Sequence, residues 1–225
     1  MPLILSPSGR SAQISSRASG PGLRLARAMA LACVMLPILA WTSSEEAALL
    51  RGEILVEVDA LPKPGPGGRV RAGVDIPVGA KALWDLMLDC ANAPNYVPKM
   101  THCAVIERSA DSSSDLREQR VRFLPGLNDL KLRFRSYYTP LHEIRFVKDG
   151  GDLAILEGSW RIQSLSPNAS RLHYQADMAT KTPFPAGLVR SGMRRDTQAI
   201  LHAVREEAIR RAAALSPPAS ESASP

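Results

Sequence analysis

The feature that most constrains the fold is a series of strand-like segments followed by one long helix-like segment. Between residues 104 and 179, short stretches of alternating apolar and polar residues are separated by clusters of turn-forming residues. From Phe184 to Ala213 the apolar residues instead recur every three or four positions, which is the period of an amphipathic helix. This order predicts an antiparallel meander followed by a helix of about 28 residues, roughly 40 Å long.

Two strands and a shorter helix are predicted before the meander. Residues 53–59 and 69–76 alternate as strands, and residues 78–88 have apolar positions at helical spacing. The predicted strands of the meander are Ala104–Glu107, Leu116–Leu124, Leu130–Tyr138, Glu143–Lys148, Leu153–Ile162 and Arg171–Ala179. The fold class is therefore α+β, with a curved antiparallel sheet of about seven strands wrapped around the long C-terminal helix.

The two faces of the predicted sheet differ in polarity. Residues such as Phe134, Phe146 and Leu172 share an apolar face, and basic residues occupy the other. These basic residues are Arg117, Arg120, Arg122, Lys131, Arg133, Arg135 and Arg145. They form either a patch that docks on anionic lipid, worth about 1 kcal/mol per charge, or a solvated face offset by acidic neighbours. Aromatic residues are not interleaved with the basic residues on this face, which, together with the predicted export, disfavours nucleic acid as a partner.

The N-terminal sequence predicts export. The chain has a formal net charge of +6, but the first 44 residues hold four arginines and no acidic residue, which leaves +2 for residues 45–225. Arg24 and Arg27 precede an apolar run of 14 residues, 28–41, and small polar residues follow it, as in a secretory signal peptide. The run is shorter than the roughly 20 residues of a membrane-spanning helix. An uncleaved membrane anchor is the alternative, and cleavage after Ala40 or after Ser44 is left open.

These patterns divide the chain into four parts. We expect a disordered extension and signal peptide over 1–44, an N-terminal strand and Pro/Gly linker over 45–67, the main domain over 68–213, and a disordered tail over 214–225. The expected location is periplasmic or secreted.

Two cysteines, Cys90 and Cys103, remain once the leader with Cys33 is set aside. An even pair in an oxidising compartment predicts a disulfide. Closing a loop of this size contributes on the order of 3 kcal/mol in the chain-entropy model. Two independent buried thiols are the alternative.

Three segments resemble the START-like superfamily, also called SRPBCC or helix-grip. They are Val74–Leu86, which leads into the first helix through Ile-Pro, then the Tyr-Val-Pro turn in Asn95–Pro98, and the Gly-Ser-Trp strand in Leu156–Ile162. The resemblance includes the polyketide cyclase/dehydrase and coenzyme Q-binding groups. It implies a cavity for a lipid, quinone, sterol or polyketide, and it supplies no catalytic group, because only some members are enzymes.

We therefore expect an exported protein that holds a hydrophobic small molecule (a lipid, quinone or isoprenoid) in an apolar cavity. An enzyme of the cyclase or hydrolase type in the same cavity is one alternative, with His142 as a candidate for proton transfer. An interaction module with a filled core, acting through the basic face, is another. The residues expected to contact the ligand are Leu132, Phe134, Tyr138, Leu156, Trp160, Tyr174, Met178, Leu188 and Met193.

The sequence predicts no catalytic residue, metal or cofactor. The four histidines are far apart and lack metal-ligand spacing. Ser159 lacks the second glycine of a nucleophile elbow. No glycine-rich phosphate loop or dinucleotide fingerprint is present.

Overall fold

The computed structural model describes residues 41–62, 65–122, 128–181 and 183–215. The predicted extension and leader up to residue 40, and the predicted tail from residue 216, lie outside the described residues.

The described residues form eight strands, three α-helices and one 3-10 turn. The strands are β1 (Leu55–Asp59), β2 (Gly67–Ile76), β3 (Met100–Arg108), β4 (Ser114–Val121), β5 (Leu130–Thr139), β6 (Glu143–Gly151), β7 (Leu153–Ser166) and β8 (Ala169–Thr180). The helices are α1 (Ser43–Leu50), α2 (Ala80–Leu88) and α3 (Ala186–Leu215), and the 3-10 turn is Ala93–Asn95.

All strands belong to one antiparallel sheet in the order β1-β2-β8-β7-β6-β5-β4-β3. Strands β3 to β8 are neighbours in sequence and in space, so the predicted meander is confirmed. The pairing of β2 with β8 along ten residues joins the N-terminal strands to the end of the meander.

The core lies between the apolar face of this curved sheet and the helices. Leu83 of α2, Leu172 of β8 and Leu201 of α3 have no exposed surface. The α3 helix packs against β1 and β2 through the face that carries Leu201, Val204 and Ala208. This arrangement confirms the predicted helix-grip fold.

Helix α1 was not predicted. Thr42 caps its N-terminus: the Thr42 hydroxyl accepts from the Glu45 backbone N–H, and the Glu45 carboxylate accepts from the Thr42 backbone N–H. Leu49 is fully buried, which fixes the short helix on the domain.

The prediction that seven basic residues share the outer face is wrong for Arg117. It is only 6% exposed and lies on the cavity side of β4, as its even spacing from Val121 requires. On the outer face, carboxylates neutralise most of the remaining charges. The pairs are Arg120–Glu118, Lys131–Glu118, Arg133–Asp149, Arg135–Glu107 and Arg122–Asp129.

The expectation that His142 could transfer a proton within the cavity is also wrong. His142 lies in the turn before β6, is exposed, and does not line the cavity. Its backbone N–H donates to the Thr139 carbonyl in this turn, so strand alternation does not extend to it.

Candidate functional site: an apolar cavity with one polar side

A cavity of about 480 Å³ lies between the sheet, the start of α3 and the segment after α2. Its size is within the range of small-molecule sites. Eight of the nine residues expected to contact a ligand line it: Leu132, Phe134, Leu156, Trp160, Tyr174, Met178, Leu188 and Met193. The ninth, Tyr138, packs behind the wall against Trp84 with ring centroids 6.2 Å apart.

Aromatic rings form one wall of the cavity. Trp160 stacks on Tyr174 with centroids 4.0 Å apart, and Phe146 stacks on the other side of Tyr174 at 6.4 Å. Burial raises the pKa of Tyr174, which keeps the phenol neutral. This wall offers flat apolar surface to a ligand.

Gly158 of the Gly-Ser-Trp motif makes the close packing of this wall possible. A Cβ atom on Gly158 would lie 2.1 Å from the Gln175 carbonyl oxygen and 2.9 Å from the Phe146 ring. The motif therefore has a packing role: glycine lets β8 and the Phe146 ring approach β7.

A polar cluster interrupts the apolar lining on β4 and β5. Asp115 is fully buried, and its carboxylate accepts from Arg117 Nε at 3.1 and 3.2 Å. Arg117 Nη2 donates to the Tyr138 hydroxyl at 2.8 Å. Both Arg117 and Ser136 line the cavity.

Ser136 is the unsatisfied member of this cluster. It is 1% exposed, and its hydroxyl makes no hydrogen bond within the described part of the chain. Ser136 stands opposite Asp115 in the β4–β5 register, so it lies beside the Asp115–Arg117 pair. A buried unpaired hydroxyl costs about 1–3 kcal/mol, and a ligand that hydrogen-bonds to it would remove that cost.

The exposed lining residues mark the opening of the cavity. They lie on two segments, Pro98–Lys99 after the 3-10 turn and the first turns of α3 with Leu188 and Arg195. Lys99 Nζ bridges these segments by donating to both oxygens of Asp196 at 2.7 and 2.9 Å. Leu188 is 66% exposed, so it forms part of the rim.

A disulfide joins Cys90 to Cys103. Both residues line the cavity, and the bridge ties the segment after α2 to β3. It therefore fixes one side of the opening to the sheet.

Groups for acid–base or metal chemistry are sparse in this site. None of the four histidines lines the cavity in the part of the chain that the structure describes. Across residues 41–62, 65–122, 128–181 and 183–215, no group of His, Cys, Asp or Glu is arranged to hold a metal ion. No helix within these ranges is long and apolar enough to cross a membrane.

Residues 76–205 match the sequence profile of the family described as polyketide cyclase / dehydrase and lipid transport. The chain belongs to this family. A search of curated proteins found no match.

Solved structures support the fold of this polyketide cyclase/dehydrase family member. An aromatase/cyclase from a Streptomyces species has a TM-score of 0.57 at 19% identity and covers 66% of this chain and 98% of its own. A START superfamily protein from Mycobacterium smegmatis gives 0.58 at 18% identity, covering 64% and 98%. A STAR-related lipid transfer protein from Xanthomonas axonopodis gives 0.60 at 12% identity, covering 69% and 93%.

The polar cluster of Asp115, Arg117 and Ser136 was not predicted from the sequence. A signal was present, because Asp115 and Arg117 have even spacing from the apolar Val121 on the same strand, which places all three side chains on one face. Because arginine is usually a surface residue, Arg117 was grouped with the basic outer face, although alternation places it on the cavity side.

Proposed function

We propose that this family member is exported and carries one amphiphilic molecule in the cavity, with an apolar body and one uncharged polar end. Family membership and the apolar lining support a hydrophobic small molecule as ligand. A lipid, a quinone such as coenzyme Q, or another isoprenoid fits this description. Aliphatic side chains and the Trp160–Tyr174 stack desolvate the apolar body, which contributes about 25 cal/mol per Å² buried.

The unsatisfied Ser136 hydroxyl is the observation that carries the proposal for the polar end. A ligand oxygen that accepts from Ser136, and from the N–H groups of Arg117 not used by Asp115 and Tyr138, completes the cluster. The negative charge of Asp115 already balances Arg117. A second anion would leave unbalanced charge in a buried site, so a carbonyl or hydroxyl fits better than a carboxylate or phosphate.

The enzyme alternative has weaker support. The polar cluster is the feature that favours it, but burial raises the pKa of Tyr138 to about 12 and that of Tyr96 to about 12. Phenols with such pKa values exchange protons poorly at neutral pH. The interaction-module alternative requires a filled core, and the cavity argues against it.

Three probes that differ only in their end group test the proposal. Binding of a long-chain methyl ketone, the matching alkane and the matching fatty acid is measured by calorimetry at pH 8. We expect the ketone to bind about tenfold more tightly than the alkane, as one or two buried hydrogen bonds allow, and the ionised acid to bind least. Tightest binding by the acid, or equal binding by all three, would contradict the proposed end group.

We further propose that the opening of the cavity meets an anionic membrane. Arg190, Arg194 and Arg195 lie on the first turns of α3 and make no ion pair within the described residues. Arg195 lines the cavity at its opening, as does Leu188, which is 66% exposed. Cations near an exposed apolar residue favour anionic lipid surfaces. The outer sheet face is less favourable because most of its basic residues are paired with carboxylates.

Vesicle flotation shows which of the two surfaces, the start of α3 or the outer sheet face, binds the membrane. Charge reversal of Arg190, Arg194 and Arg195 to Glu is compared with charge reversal of Arg120, Arg133 and Arg135, using phosphatidylglycerol vesicles. We expect the α3 variant alone to lose vesicle binding. Loss only in the sheet-face variant would place the contact on the opposite side of the molecule.

A further inference from the structure

Trp41, the last residue of the predicted leader's apolar run, packs against the sheet. The Trp41 indole lies against Gly73, where a Cβ atom would be 2.7 Å from its Cζ2 atom. The Arg71 guanidinium lies 4.0 Å from the ring centroid. The indole N–H donates to His173 Nδ1 at 3.3 Å. Trp41 therefore occupies a built site on the outer face of β2 and β8.

The next residues are also part of the domain. Thr42 caps α1, and the helix places Glu45 against Arg71 and Glu46 against Arg171. Arg171 is 2% exposed and also binds Asp75, so the half-exposed Glu46 pairs with a buried guanidinium. Removing Trp41 and Thr42 would expose Gly73 and leave the first backbone N–H groups of α1 without their cap.

These contacts discriminate between the two cleavage positions left open by the sequence. A cut after Ser44 would remove Trp41, Thr42 and the cap of α1. A cut after Ala40 would keep all of these contacts, and Ala40 is the small residue that a signal peptidase requires before the scissile bond.

We propose that the Ala40–Trp41 peptide bond is the processing site and that the mature protein begins at Trp41. The step is a hydrolysis: water adds across the amide, giving a carboxylate on Ala40 and an α-ammonium group on Trp41. This inference rests on the export part of the proposed function. It does not depend on the identity of the ligand.

The test is N-terminal sequencing and intact-mass measurement of the full chain after expression in a bacterium with an intact secretion pathway. We expect periplasmic protein that begins Trp-Thr-Ser-Ser-Glu. Periplasmic protein that begins at Glu45, or at any residue other than Trp41, would overturn the processing site and leave export standing. Uncut chain in the cytosol would overturn both, and uncut chain in the membrane fraction would identify an anchor.

Two matched substitutions in the full chain test the site itself. Ala40→Leu puts a large residue before the scissile bond, and we expect loss of the cleaved form. Ser44→Leu makes the same change at the alternative position, and we expect unchanged processing. The reverse pattern, or normal cleavage in both variants, would refute cleavage after Ala40.

Discussion

At the scale of single residues, the buried hydroxyl of Ser136 affects both the stability of the folded domain and its affinity for a ligand. Its hydroxyl lacks a hydrogen bond beside the Asp115–Arg117 pair, so the ligand-free domain is less stable than it would be without that group. A group that costs stability and faces a cavity is expected where a ligand supplies the missing partner.

Ser136→Ala should therefore raise the free energy of unfolding of the empty protein by about 1 kcal/mol and weaken binding of the methyl ketone about five- to tenfold. Denaturant unfolding and calorimetry measure the two effects. Ser170→Ala is the matched control, because that buried hydroxyl donates to the Val78 carbonyl at 2.8 Å. It should lower stability without changing affinity. A loss of stability in Ser136→Ala would show that its hydroxyl already has a partner.

His173 makes the stability of the domain depend on pH. Burial, aided by the nearby Arg171, lowers the pKa of His173 below 6.5, because both disfavour the charged ring. As the pH falls through 6.5, the His173 ring takes up a proton in the unfolded chain but stays neutral in the folded domain. Stability therefore decreases from that pH downwards, until the folded state is protonated as well.

The His173→Gln variant should lose less stability than the wild type between pH 7 and pH 5 in chemical unfolding experiments. His202→Gln, which changes an exposed histidine on α3, is the control and should follow the wild type. Parallel curves for wild type and His173→Gln would contradict the assigned pKa direction.

At the scale of elements, the opening of the cavity depends on the segment after α2 and the start of α3. The disulfide fixes the first segment to β3, while the Lys99–Asp196 pair joins it to α3. Because this ion pair is partly exposed, it contributes little to the free energy of unfolding. We expect it instead to slow the exchange of ligand through the opening.

Lys99→Ala should speed release of the bound ketone about two- to fivefold, which corresponds to an exposed ion pair worth up to about 1 kcal/mol. Stopped-flow displacement measures the rate. Lys81→Ala removes another exposed pair, Lys81–Asp85 on α2, and should leave the rate unchanged. Identical rates in all three proteins would show that the opening does not pass between Lys99 and Asp196.

The elements themselves were largely predictable from the sequence. Alternation identified every strand, and the helical period identified α2 and α3 to within a few residues. Helix α1 was not predicted, because its eight residues contain few apolar positions and show no helical periodicity. In addition, Trp41 ended an apolar run that was interpreted as part of a leader. The positive charge of the outer face was overestimated, because ion pairing between neighbouring strands depends on their register. Alternation along one strand does not determine that register.

At the scale of the whole molecule, the sheet and α3 border a cavity whose lining is mostly apolar, with one polar cluster on the sheet and charged residues at the opening. Strands β3 to β8 line that space, and the polar cluster comes from neighbouring positions on β4 and β5. Of the eight expected contact residues that line the cavity, alternation assigned the six on the sheet to this face, and the helical period assigned Leu188 and Met193 to the apolar stripe of α3. The space left between these side chains depends on packing, which alternation does not determine.

The proposal that the cavity carries a ligand is tested on protein purified from the exporting host. Native mass spectrometry detects any bound molecule, and solvent extraction then allows it to be identified. We expect one hydrophobic molecule per chain that carries an uncharged oxygen acceptor, and loss of this species in a Trp160→Ala variant that remains folded by circular dichroism. Protein that is empty under native conditions, together with no binding of the ketone probe, would contradict it.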